Sequence, residues 1–120
     1  NDDPFNDSLK GVLKTSDSPK KLPKNGLFNP MEKILRNGTG TMAYRDAWSL
    51  FDQMVISRPL VTKEVGGWQY YKAVIFNKPF LVEQQGTYRG YPHRTFDGDT
   101  FVNGFSDHFP VYLLFLKEKK

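Results

Sequence analysis

The chain has 120 residues, a length that suits one domain. Aromatic residues make up 15% of it, which excludes a disordered polar chain, and no apolar run is long enough to span a membrane. The net charge of +4 favours an anionic partner without naming one, and the lack of Cys excludes disulfides and thiolate metal sites.

In chain order, Asp3-Pro4 reads as a helix opening, with Asp as cap and Pro at the first helical position. Phe5, Leu9, Val12 and Leu13 then share one helical face, which predicts a helix ending near Thr15. Residues 15–26 read as a polar, basic, solvated loop. Asn29-Pro30-Met31-Glu32 repeats the opening signature, with Glu32 placed to reach back to the cap. Met31, Ile34 and Leu35 form the apolar face, and Asn37-Gly38 closes the helix, since Gly accepts the left-handed conformation.

Residues 40–44 read as extended and lead into Trp48–Ser57. Five of the seven positions from 50 to 56 are apolar with no clean alternation, the pattern of a strand covered on both faces. Asp52 is anomalous there. An isolated carboxylate in such a place costs on the order of several kcal/mol, so it requires a partner. A His is the natural one, because an acceptor at one ring nitrogen fixes the tautomer at the other. Periodicity leaves a second reading equally open, in which Asp52 and Gln53 face water at a strand edge.

Gly66-Gly67 breaks the chain. Lys72–Phe76 and Phe80–Glu83 are short strand candidates joined by a tight Asn77-Lys78-Pro79 connection; the Pro makes the second piece an edge or no strand at all. Residues 86–103 form a long loop, a place where function is often hung. Within it Arg94 is able to fork onto a phosphate, and His93 reads as a surface residue. Gly104–Leu116 begins with a flexible Gly, sets Ser106, Asp107 and His108 side by side, and passes through Pro110 into a short apolar run that reads as a buried strand. Asp107 and His108 are adjacent, so on extended backbone they point opposite ways. By itself this stretch is as well explained as a turn before a strand.

Ser106-Asp107-His108-Phe109-Pro110-Val111 resembles the closing motif of the endonuclease/exonuclease/phosphatase family, which includes pancreatic deoxyribonuclease, apurinic-site endonucleases, sphingomyelinases and inositol-phosphate phosphatases. Leu50-Phe51-Asp52-Gln53-Met54-Val55-Ile56-Ser57 resembles the family strand whose Asp orients that His. Gly40-Thr41, Tyr44, Trp48, Gln53 and Pro92-His93-Arg94-Thr95 resemble a bacterial branch. Asn1-Asp2-Asp3-Pro4 is similar to the family's phosphate-binding stretch entered at its Asn, and the order Asn1, Asp52, His108 matches the later half of the family domain.

The resemblance implies an α/β fold: half of a four-layer α/β sandwich spanning residues 1–120, with one mostly antiparallel or mixed sheet and flanking helices. It implies hydrolysis of a phosphodiester or phosphomonoester with Mg2+ or Mn2+. His108 would act on the attacking water and Asp52 would hold its ring. Asp107 would serve the metal or the nucleophile, and Asn1 and Arg94 would contact substrate. The principal metal ligand would belong to the earlier half. The chain alone is therefore expected to be inactive, and to expose an apolar face for that missing half or for self-association. Two other readings are a non-catalytic module that binds glycan or nucleic acid through basic and aromatic residues, and a degenerate member that keeps the fold without the reaction. Asp52 discriminates: contact with His108 favours catalysis, open solvent favours binding. The substrate (DNA, RNA, lipid or inositol phosphate) is left open, and the resemblance suggests a secreted or periplasmic location.

Overall fold

The computed structural model describes residues 3–64 and 66–119. Two short helices, α1 (Met31–Arg36) and α2 (Pro59–Thr62), are interleaved with the strands. The strands are β1 (Met42–Tyr44), β2 (Ala47–Ser49), β3 (Trp68–Ile75), β4 (Phe96–Asp97), β5 (Thr100–Phe101) and β6 (Val111–Lys117). They pair antiparallel as β1–β2, β3–β6 and β4–β5. Helices and antiparallel strands are mixed, as a domain of the resembled family requires. The described strands nevertheless form three separate pairs where one sheet was expected. Outside these strands the backbone forms single bridges, such as Phe28 to Ile56 and Val82 to Pro92. The Val82–Pro92 bridge needs no amide from Pro92, because Glu83 N donates to Tyr91 O and His93 N to Leu81 O, both at 2.8 Å.

The N-terminal segment departs from the predicted helix. One π-helical turn, Ser8–Val12, is all that forms. Side chains capture the amides that a longer helix would use: Asp3 Oδ1 accepts from Phe5 N and Asn6 Oδ1 from Leu9 N. Leu9 is the one residue of the predicted face that is buried; Phe5, Val12 and Leu13 are exposed. The basic loop that follows is also less solvated than expected, because Leu22 turns inward. Leu22, Phe28 and Ile56 form the buried centre of the core, with Leu60, Val61, Tyr70, Leu113 and Phe115 packed around them.

Helix α1 follows its sequence signals closely. Asn29 Oδ1 accepts from Met31 N at 3.0 Å, and Gly38, at a φ of +80°, takes the left-handed position beyond its last turn. Glu32 departs from the expected reach-back. Its side chain is 1% exposed and meets Lys10 Nζ at 2.8 Å and Arg36 Nη2 at 3.3 Å. The 50–56 stretch forms no strand. Leu50 and Ile56 anchor it inward while Phe51 and Val55 are exposed. Gln53 turns back on this segment, its amide group donating to Leu50 O and its carbonyl accepting from Asn29 Nδ2. Apolar content alone cannot tell such an anchored irregular segment from a buried strand.

Strand β6 forms where the apolar run predicted it and pairs along its length with β3. It is half-buried, where a buried strand was expected. Val111, Leu113 and Phe115 turn inward, whereas Tyr112, Leu114 and Leu116 are 38%, 38% and 56% exposed. The period-two alternation of side chains produces this split, with the core lying on one side of the pair. The Phe80–Glu83 candidate becomes a 3-10 turn, Pro79–Leu81. The 86–103 loop carries the small β4–β5 hairpin.

Candidate active site

The site is assembled from three segments. The β1–β2 hairpin turns through Arg45 and Asp46, both at positive φ (48° and 62°), the combination a two-residue hairpin turn requires. Its flanks deliver Thr41 on one side and the 50–56 segment with Asp52 on the other. The third segment, 104–110, is tethered at both ends. Phe105 N donates to His93 O at 2.7 Å, Phe109 N to Thr41 O at 2.7 Å, and Phe76 N to Pro110 O at 2.7 Å. Phe109 is buried and stacks on Trp48 with ring centroids 6.0 Å apart. Gly104 lies so close to the His93 and Arg94 carbonyls that a Cβ there would collide with them.

Between these tethers the backbone turns, with His108 N donating to Ser106 Oγ at 3.1 Å. The turn sends His108 inward and leaves Asp107 exposed. His108 Nδ1 lies 2.8 Å from Asp52 Oδ2, across 56 residues of sequence. The same Asp52 oxygen accepts from the hydroxyl of Thr41. Both members of the pair are partly open to solvent, at 31% and 35% side-chain exposure, so water can reach the imidazole. The Phe51 ring lies tilted beside it, with ring centroids 6.2 Å apart. Asp52 is therefore half-exposed and partnered, where a buried strand position was expected.

Asp107 does not join that pair. It lines a neighbouring cleft of about 360 Å³ with Arg94, Thr95, Phe96, Phe105 and Ser106. The Arg94 guanidinium sits over the Tyr88 ring at 5.7 Å from the centroid and also borders the next cleft. Asn1 lies outside the described residues. Among the described residues no group of three or more His, Cys, Asp or Glu side chains is placed to hold a metal ion. Asp107 is the one carboxylate lining its cleft, whereas a divalent cation such as Mg2+ needs near-octahedral oxygen ligation. These residues alone do not fit a resident cation.

A second imidazole–carboxylate pair borders the next cleft through Glu83. His93 Nδ1 is 2.7 Å from Glu83 Oε2, where sequence reasoning placed a surface His and a strand Glu. The hydrogen bond from His93 holds the Glu83 carboxyl below its ordinary value of 4.5. A depressed carboxylate contributes stability above its unfolded pKa and loses it as pH falls through the folded one. Glu83→Gln is therefore expected to lower the melting temperature most near neutral pH. The gap from the unsubstituted protein should close as pH falls below about 4. A gap that stays constant across that range would assign the pair no ionic role. Nearby, Tyr91 donates to Asp46 at 2.7 Å, and this bond pushes the phenol up from its usual value. It bolts the long loop to the β1–β2 hairpin.

Thr41 and Glu83 are the site residues that sequence reasoning missed. The available signal at Thr41 was a small polar residue behind a Gly, next to a strand. Its burial and its partner depend on the hairpin.

The chain belongs to the endonuclease/exonuclease/phosphatase family, whose model matches residues 1–117. It is accordingly a phosphoesterase- or nuclease-type domain. No curated protein and no solved structure matches it significantly.

Proposed function

We propose that this chain carries the proton-handling part of a phosphoesterase that cleaves phosphodiester or phosphomonoester bonds with activated water. The observation that carries the reading is the 2.8 Å contact between His108 Nδ1 and Asp52 Oδ2. An ionised carboxylate accepts the Nδ1 proton and leaves Nε2 with its lone pair. In the reaction, water gives a proton to Nε2 while its oxygen bonds to phosphorus. The ester P–O bond then breaks, and the departing oxygen keeps the electron pair and takes up a proton. Arg94 neutralises phosphate charge at the cleft, with a fork that matches two phosphate oxygens. Asn1 is a second phosphate contact in this reading. Asp52, although partly exposed, rests on His108, which supports catalysis over a glycan- or nucleic-acid-binding module.

Asp107 is the one carboxylate lining its cleft, so no step above runs through a cation. We assign dependence on Mg2+ or Mn2+ to a site whose remaining ligands come from a complementing segment. In this reading β3 and β6 belong to one layer of the four-layer sandwich. The exposed row Tyr112, Leu114 and Leu116 is the face the second sheet covers.

The test is direct. The purified chain, given Mg2+ or Mn2+ and bis(p-nitrophenyl) phosphate, is expected to show little or no turnover. In light scattering it is expected to run larger than a monomer. Magnesium-dependent turnover by the chain alone would refute the incomplete metal site, and a monodisperse monomer would refute the uncovered face. A complemented assembly that binds the cation and cleaves no phosphate ester would refute the function itself.

A further inference from the structure

We propose that Thr41 is the positioning residue of the Asp52–His108 pair and grips both partners at once, an inference that rests on the function proposed above. Thr41 is 0% exposed. Its hydroxyl donates to Asp52 Oδ2, the oxygen that His108 Nδ1 approaches at 2.8 Å. Its carbonyl accepts, at 2.7 Å, from the amide of Phe109, the neighbour of His108. One residue thus sets the rotation of the carboxylate and the position of the backbone that carries the imidazole.

The two donors are compatible, because a carboxylate oxygen has two lone pairs and accepts a hydroxyl and a ring N–H together. They are also needed together. Asp52 sits on an irregular, partly exposed segment, where a carboxylate held by one contact swings about its side-chain torsions. A second donor on the same oxygen removes that freedom and keeps a lone pair aimed at Nδ1. Thr41 is in turn fixed against the hairpin. Its amide donates to Ser49 O at 2.9 Å, and Gly40 lies so close to the Ser49 backbone that a Cβ there would collide with it. The Gly-Thr step is registered before Asp52 arrives.

Two substitutions separate positioning from packing. Thr41→Val keeps the shape and removes the donor; Thr41→Ser keeps the donor and removes a methyl. The readout is the 15N tautomer signature of His108 at about pH 9, where an imidazole is neutral. His93, the only other His, sits on Glu83 and serves as the internal reference. The unsubstituted protein and Thr41→Ser are expected to show one tautomer with the proton on Nδ1. Thr41→Val is expected to lose it to a mixture of both. A packing role predicts the reverse order, since Ser opens a void and Val does not. A wild-type signature in Thr41→Val, or a mixture in Thr41→Ser, overturns the inference. A second arm needs no variant and decides the matter should Thr41→Val fail to fold. The Thr41 hydroxyl proton should exchange slowly and show a through-space cross-peak to the His108 ring proton on Nδ1; absence of both overturns it. Neither signal depends on turnover. A catalytically dead assembly with these signals intact would end the phosphoesterase reading and leave Thr41 as the residue that holds the pair.

Discussion

Replacing His108 with Ala is expected to lower phosphoester turnover in the complemented enzyme by about 10²–10⁴-fold, the range for a positioned proton acceptor. In free energy that is roughly 2.7–5.5 kcal/mol of transition-state stabilisation, while affinity for the phosphate ester changes little. Asp52→Asn should fall in the same range for a different reason. The amide keeps the shape and the 2.8 Å contact to Nδ1. Its NH2 group can also donate to a bare Nδ1, which moves the proton to Nε2, the nitrogen that must receive one from water. The two residues act as a unit, so the double variant should be no worse than His108→Ala alone, and steady-state kinetics of the four proteins read this as strong non-additivity. Additive losses would mean that Asp52 serves something other than the imidazole. Unchanged kcat in His108→Ala would remove the proposed mechanism altogether.

The long-range pairing was legible in two steps. A carboxylate among apolar residues suggested an imidazole partner, with a water-facing edge position equally open, and the resemblance of the two motifs implied that the partner was His108. The surroundings of that carboxylate were misread. Five apolar residues between 50 and 56 read as a strand, yet only the two end residues, Leu50 and Ile56, turn fully inward. Composition records that apolar side chains are present and is silent on which of them point inward. Strand β6 was visible as a short apolar run and the later part of β3 as a strand candidate from Lys72, while their pairing with each other was not. Helix α1 was visible because its cap and its terminal Gly are local chemistry. The first helix was misplaced because the same residue types, Asp3 and Asn6, bind amides in turns as readily as they cap helices. Glu32, Thr41 and Glu83 escaped for a common reason. Each takes a partner supplied by another part of the chain: Lys10 for Glu32, Asp52 for Thr41 and His93 for Glu83.

The largest stability loss is expected at Glu32. Its carboxylate is 1% exposed, and its two cations, Lys10 and Arg36, are themselves 38% and 52% exposed. A charge removed from water this completely is tolerable only while its partners stay. Lys10→Met with Arg36→Met leaves it uncompensated, at a cost of about 3–5 kcal/mol, against a total stability of roughly 5–15 kcal/mol for a domain of this kind. Arg36→Met alone should cost less, because its contact is the longer one at 3.3 Å and Lys10 remains at 2.8 Å. The sharper outcome is the triple variant. Adding Glu32→Leu to the pair removes the buried charge, so it should recover most of the loss, since a well-packed apolar group often replaces a buried ion set at little cost. Urea unfolding of the four proteins gives the order directly. A double variant within about 0.5 kcal/mol of the unsubstituted protein, the scale of an ordinary surface change, would show that the carboxylate is not paying for its burial through these cations. The consequence reaches the site through α1. Asn29, at the start of that helix, donates to Gln53 Oε1 at 2.9 Å, next to Asp52 in sequence. Loosening the Glu32 cluster should therefore free the segment that presents Asp52, and in the double variant the single His108 tautomer should degrade at urea concentrations below the main unfolding transition.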